Sequence, residues 1–295
     1  TVLTGLGTLA PGLLLWRAIL QWIGGIGIIV TAIVILPMLR VGGMQLFQLE
    51  SSDQSGKYLP RITEITAQTG VVYVIVSVAC AAAYAVCGMN AFDAITHSMT
   101  TMSAGGFSTH DASFGYFNDT PAAYAATFFM MVAGLPFSLL TLLILHGRIG
   151  PMIRDPQPRL FLGLGVVLSI IIVSWHEAVV EPPIFDHVFH GMRTALFNII
   201  SVMTGTGYAS APYDTWGKPV MIIFLIATFL GGCAGSAACG IKMFRLEISF
   251  KAVFAHAAHM VRPHQIAPVR YGGRVVDQET LQSVMVFVFL YMATF

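Results

Sequence analysis

Two short stretches of the chain concentrate groups able to hold a cation. TMSAGGFSTHDASFGYFND spans residues 101–119, and a looser echo, SVMTGTGYASAPYDTWGKP, spans residues 201–219. Each closes an apolar run, is rich in glycine and hydroxyl residues, and leads into an aromatic residue and an aspartate. Glycine lacks a Cβ and admits backbone dihedrals that let successive carbonyls point the same way. Carbonyls gathered in that manner replace the hydration shell of a monovalent cation. On this chemistry the ligands are the backbone oxygens of Ala104, Gly105 and Gly106 in the first stretch and of Gly205, Thr206 and Gly207 in the second. The plainer reading is a pair of external turns that use glycine and serine for ordinary turn geometry.

The surrounding elements favour the first reading. The sequence is 56% hydrophobic and only 10% charged, with mean hydropathy +0.77, which places it with polytopic membrane proteins. Apolar runs at 13–39, 71–89, 122–145, 160–175 and 219–230 are each near the ~20 residues that cross a bilayer, some with help from flanking residues. A further run begins at Gln282. A net charge of +1 gives no electrostatic bias toward nucleic acid. Cys80 and Cys87 sit in one apolar run and Cys233 and Cys239 in a glycine-rich one, as small packing residues do.

Charge assigns the two sides. Arg40, Lys57, Arg61, Arg148, Arg154, Arg159, Lys242, Arg245, Lys251, Arg262, Arg270 and Arg274 follow alternate spans and mark the cytoplasmic side. Asp93, Asp111, Asp119, Glu177, Glu181, Asp186 and Asp214 fall on the opposite side, together with both loops. The order of elements then repeats: span, short amphipathic stretch, loop, returning span. The stretches FDAITHSMTTMS at 92–103 and VFHGMRTALFNIISVM at 188–203 are too short to cross and are predicted as re-entrant half-helices. Irregular backbone at membrane depth is tolerated where it is buried or lines a watery cavity, and each half-helix would direct its negative C-terminal dipole at that point. The predicted fold class is therefore an all-α polytopic membrane protein, with repeated helix, pore half-helix, filter loop and helix around a central ion pathway.

Four motifs in order carry a resemblance over essentially the whole chain: WIGGIGIIVTAIVILPMLRVGGMQLFQLES at 22–51, AGGFSTHDASFGYF at 104–117, TGTGYASAPYDTWG at 204–217 and FLGGCAGSAACGIKMFR at 229–245. They resemble the Trk/Ktr/HKT superfamily, closest to its Trk-type potassium uptake membrane subunit. The resemblance implies four such repeats around one pathway, potassium as the transported ligand without another cofactor, and placement in the inner membrane with the filter loops outward. It further implies a homodimer whose cytosolic face docks a ring of nucleotide-binding regulatory subunits. Aligned on Gly106 and Gly207, the chain holds the end of repeat one at 1–70, repeat two at 71–159, repeat three with a cytoplasmic linker at 160–281, and the start of repeat four at 282–295. It is thus expected to be an internal fragment. Ala104 and Ala237 stand where the resemblance leads one to expect a hydroxyl residue, and Cys239 where it leads one to expect glycine.

The segment from Gly231 to Lys242 has two readings. Gly231, Gly235 and Ala238 match the spacing of close helix packing. Glycines in series also disfavour helix, and an unwound segment beneath the second loop would make a movable gate. The resemblance assigns a gating loop here, with Gly231, Gly232, Gly235, Ser236, Gly240 and Lys242 as its elements; Lys242 alone reads equally as an inner-surface anchor. Arg17 and Arg193, near outer helix ends, are expected to snorkel or pair with carboxylates, and His97, His110, His187 and His190 to face outward. Asp111 and Asp214 either concentrate cations at the mouth or serve as loop acids and caps. HEAVVE lacks the second histidine of a zinc-protease helix. No carboxylate lies mid-span, which argues against an intramembrane enzyme and against a titratable proton-coupled site. Channel and carrier are not separated by these residues, and a sodium or mixed-cation pathway remains the alternative to potassium.

Overall fold

The computed structural model describes residues 3–32, 58–117, 120–179, 188–262 and 268–294. Arg40, Lys57, Asp119, Glu181, Asp186 and His187, and the later part of the 22–51 motif, lie outside the described residues. Apart from one short hairpin the described elements are helical. They run α1 (Pro11–Val30), α2 (Tyr58–Val86), α3 (Ala91–Met102), α4 (Ala122–Ala133), α5 (Phe137–His146), α6 (Gly150–Arg154), α7 (Pro156–Val179), α8 (Val188–Thr204), α9 (Lys218–Phe229), α10 (Met243–Val261) and α11 (Gln278–Thr294). Between α10 and α11, β1 (Arg270–Tyr271) pairs antiparallel with β2 (Arg274–Val275). The turn is Gly272–Gly273, with φ of 55° and 82°, the double left-handed geometry that a two-residue hairpin requires.

Three described helices are long and apolar enough to cross a membrane, within α1, α2 and α7. The run expected as one crossing at 122–145 is instead two helices, α4 and α5, bent by 105°. Pro136 lacks the N–H that a continuous helix needs, and the backbone groups released at the break bond to another segment described below. Alongside an apolar core, many polar side chains are buried while large apolar ones face outward. Thr100, Thr101, Asn198, Ser201 and Thr204 are fully buried, while Val78 is 63% and Leu225 58% exposed. That is the distribution expected when the outer solvent is hydrocarbon.

The two short amphipathic stretches are helices of 12 and 17 residues. The first starts on a firm cap: the Asn90 side chain accepts from Asp93 N at 2.8 Å and donates to Asp93 Oδ2 at 2.8 Å. Each packs among its own flanking helices and the helix returning from the preceding repeat. For α3 these are α1, α2 and α4; for α8 they are α7, α9 and α4.

Candidate functional site

The two glycine-rich loops leave their half-helices along the same path. Ala104 N bonds to Thr101 O and Gly205 N to Val202 O, both at 3.0 Å; Gly106 N bonds to Thr100 O at 3.1 Å and Gly207 N to Ser201 O at 3.2 Å. Left-handed backbone recurs at the matching positions, with φ of 51° at Ala104 and 75° at Gly205, then 69° at Gly106 and 80° at Gly207. Left-handed residues at alternate positions turn the intervening peptide planes repeatedly, which is how a short strand presents several carbonyls to one side. Ala104 holds that conformation without being glycine, at a cost of about 1–2 kcal/mol. The loops also touch: a Cβ built at Gly106 would sit 1.7 Å from Thr206 O. In the second loop Gly205 and Gly207 are exposed while Thr206 and Tyr208 are buried.

Behind the loops lies a polar and aromatic packing that the sequence did not announce. The Tyr208 hydroxyl crosses between repeats to α3, at 2.6 Å from Thr100 Oγ1, 3.2 Å from Thr101 Oγ1 and 3.2 Å from His97 O. Ser201 Oγ donates to Tyr208 O at 2.7 Å, and Asn198 Nδ2 to Ser210 Oγ at 2.9 Å. His97, expected to face outward, is fully buried. Its ring bonds Ser108 Oγ at 3.0 Å and Asp93 O at 2.9 Å, and its edges meet Phe114 and Phe117 at 5.5 and 5.3 Å. The half-helix turns this face inward, so the histidine fastens the first loop to its own helix.

The first loop is also gripped from α1, at a residue that sequence reasoning missed. Gln21 Nε2 donates to Gly105 O at 2.8 Å and Gln21 Oε1 accepts from Phe107 N at 3.1 Å. Arg17 lies on the Phe107 ring, 4.3 Å from its centroid, and Arg193 lies 5.6 Å from the Tyr124 ring. Both arginines, expected to snorkel or to pair with carboxylates, are placed on aromatic faces. Arg17, Gln21 and Gly25 fall at i, i+4 and i+8, one helix face, and that spacing was the available signal.

Past the first loop, Asp111 accepts from Gly5 N and Leu6 N, each at 3.1 Å, so it ties the chain before α1 to that loop. Asp93 is only 3% exposed; it takes Thr109 Oγ1 at 2.5 Å and His110 Nε2 at 3.1 Å. Asp214 is exposed in a short 3-10 turn.

Residues 231–240 are not helical. They form a tight re-entrant hairpin between α9 and α10, closed at its neck by a parallel bridge between Leu230 and Ile241. The glycines permit the closeness: a Cβ at Gly231 would lie 2.2 Å from Cys239 O, and one at Gly232 would lie 2.6 Å from the Ala238 Cβ. The hairpin fills the α4–α5 break, where Cys233 N bonds Gly134 O at 2.9 Å, Ala237 N bonds Ala133 O at 3.2 Å and Phe137 N bonds Gly235 O at 3.0 Å. Its upper side meets the second loop, since Cys239 N bonds Thr204 O at 3.0 Å. Gln157 Oε1 accepts from Ala234 N at 2.8 Å, Ser236 Oγ donates to Cys233 O at 2.6 Å, and Lys242 Nζ donates to Ala238 O. Lys242 is therefore bonded to the hairpin itself. Below it, burial raises the carboxyl pKa of Asp155, whose Oδ1 accepts from Gln157 N at 2.8 Å.

The chain matches the family model described as TrkH, cation transport protein, over residues 1–295. It is 36% identical over 295 residues to the Trk system potassium uptake protein TrkI of Halomonas elongata, covering all of this chain and 59% of that protein. To the Trk system potassium uptake protein TrkH of Salmonella typhimurium it is 36% identical over 299 residues, again across the whole chain and 61% of the relative. The crystal structure of the potassium transporter TrkH from Vibrio parahaemolyticus superposes with a TM-score of 0.86 at 31% identity, covering 99% of this chain and 59% of that one. The chain thus spans about three fifths of the length of these relatives. With the family model matched from end to end and the same helical architecture in a solved relative, the chain belongs to the TrkH cation transport protein family.

Proposed function

We propose that this chain belongs to a potassium uptake protein of the cytoplasmic membrane, with the ion passing residues 104–106 and 205–207 and a gate formed by residues 231–240. The relatives it matches in sequence are named potassium uptake proteins of the Trk system, which supports transport without covalent chemistry. The observation that carries the reading is the repeated left-handed pair, Ala104 with Gly106 and Gly205 with Gly207, at the C-terminal ends of two half-helices. Four carbonyl-bearing positions in matched conformations, backed by the negative ends of two helix dipoles, favour a dehydrated monovalent cation. The hairpin sits directly beneath, held by hydrogen bonds to the break in the preceding repeat, so releasing those bonds would open the path below the filter.

The excess of basic residues in alternate connections puts the filter loops outside and the linker after α10 inside. In this reading the repeats divide at 70, 159 and 281, the protein pairs as a homodimer, and a nucleotide-binding ring docks on its cytosolic face. The word system in the relatives' names supports action with further subunits. The test is uptake of radioactive rubidium by potassium-starved cells carrying the full-length protein, with sodium as competitor. Saturable rubidium uptake that a tenfold excess of sodium leaves largely intact is the expected result. Equal displacement by sodium would make it a mixed-cation pathway, and absence of uptake would refute the assignment.

A further inference from the structure

The side chain of Gln21 reaches from α1 of one repeat to the filter loop of the next. Its carboxamide binds that loop at two points, donating to Gly105 O at 2.8 Å and accepting from Phe107 N at 3.1 Å. The Gly105 carbonyl belongs to the peptide before Gly106, and the Phe107 N–H to the peptide after it. One carboxamide therefore fixes both peptide planes that flank Gly106, and with them its left-handed φ of 69°. A trans peptide is planar, with its N–H and C=O pointing in opposite directions. The Phe107 N–H faces Gln21, so the Gly106 carbonyl in the same plane faces away from α1. The Gly105 carbonyl is turned the other way, onto Gln21.

The fit is built from both sides. A Cβ at Gly105 would fall 2.4–2.7 Å from the Gln21 carboxamide atoms, so only glycine admits this contact. One helical step on, a Cβ at Gly25 would meet the Ser103 Cα and the Tyr73 hydroxyl at 2.7 Å; the bare glycine lets α1 lie against the end of α3. One step back, Arg17 covers the Phe107 ring at 4.3 Å. A carboxamide carries a donor and an acceptor held rigidly in one plane, which is what the two contacts to the loop require.

We infer that Gln21 is a positioning residue for ion selection: it holds the Gly105 carbonyl as an anchor and aims the Gly106 carbonyl as a ligand. The inference rests on the potassium reading and is separable from it by experiment. In the full-length protein, Gln21→Met keeps the length of the side chain and removes both hydrogen bonds. Trp22→Phe serves as control, because it removes a part-buried hydrogen bond on the same helix, Trp22 Nε1 to Ser77 Oγ at 2.9 Å, without removing either bond to the loop. The readout is the ratio of rubidium to sodium uptake, measured beside the amount of protein in the membrane.

Gln21→Met is expected to change that ratio by roughly tenfold, the factor carried by about one neutral hydrogen bond, with protein still present; Trp22→Phe is expected to leave the ratio unchanged. Should Gln21→Met fail to accumulate, Gln21→Leu likewise offers the loop neither donor nor acceptor, and the same change in ratio is required of it. An unchanged ratio in the variant that accumulates, or an equal loss of both ions as in a merely weakened fold, overturns the inference. A wild type that carries neither ion refutes the transport reading instead.

Discussion

Gly106 and Gly207 occupy matched positions, yet the structure predicts unequal consequences for the same substitution. Both are left-handed, at φ 69° and 80°, so an alanine at either meets a dihedral penalty of about 1–2 kcal/mol. Their surroundings differ. A Cβ at Gly207 has no described atom beyond its chain neighbours within 4 Å, whereas one at Gly106 lies 1.7 Å from Thr206 O. A carbon–oxygen contact settles near ~3.3 Å, so Gly106→Ala must part the two loops by about 1.6 Å at that point, starting from 1.7 Å. Ligand constellations hold their function within about 0.5 Å. The displacement exceeds that tolerance threefold, and it falls on Thr206, whose own carbonyl is a proposed ligand. Gly207→Ala should therefore lower the preference for rubidium over sodium by about tenfold, as one strained peptide would. Gly106→Ala should abolish the preference and most of the flux. The assay is rubidium uptake with sodium competition in potassium-starved cells, normalised to membrane protein. Equal effects of the two substitutions, or a milder one at Gly106, would refute the claim that the loops meet there.

Two further substitutions separate the filter brace from the hairpin. Tyr208→Phe removes only the hydroxyl shared with Thr100, Thr101 and the His97 carbonyl, and should cost about 1–2 kcal/mol of stability while shifting the rubidium-to-sodium ratio; thermal unfolding and uptake both unchanged would show the contact to be idle. Gly232→Ala brings a Cβ within 2.6 Å of the Ala238 Cβ and 2.9 Å of Gly134 O, which should loosen the hairpin from the α4–α5 break and raise basal flux with ion preference kept. Reduced flux with reduced membrane protein would assign residues 231–240 to packing alone.

Much of the architecture was legible because membrane solvent imposes coarse rules. Apolar length located α1, α2 and α7, and the shortness of 92–103 and 188–203 marked them as half-helices, which they are as α3 and α8. The run expected as one crossing at 122–145 is bent by 105° in its middle, for a long-range reason. Ala-Gly-Leu-Pro at 133–136 is tolerated in many membrane helices, and whether it breaks one depends on what satisfies the released backbone groups. Here the hairpin from a segment a hundred residues later does so, through Gly134 O, Ala133 O and Phe137 N. Local sequence holds no record of that partner.

The same distinction explains what was missed at the site. Glycine content exposes which backbone is able to bend, so Gly106, Gly205 and Gly207 are legible from the sequence. What holds a bent backbone in one conformation is hydrogen bonding, and those bonds come from side chains distant in sequence: Gln21 to residues 105 and 107, Tyr208 to residues 97, 100 and 101. In isolation each looks ordinary, a glutamine in an apolar helix and an aromatic after a glycine. Polar groups at membrane depth are expensive unless partnered, so Gln21 in LQWIGGIG carried a physical hint that a buried partner must exist. The identity of that partner followed only once α1 was laid against α3 by the bare backbone of Gly25. The glycines that let the two loops bend are thus written in composition, while the direction of each carbonyl, Gly105 O onto Gln21 among them, is a property of how distant helices pack.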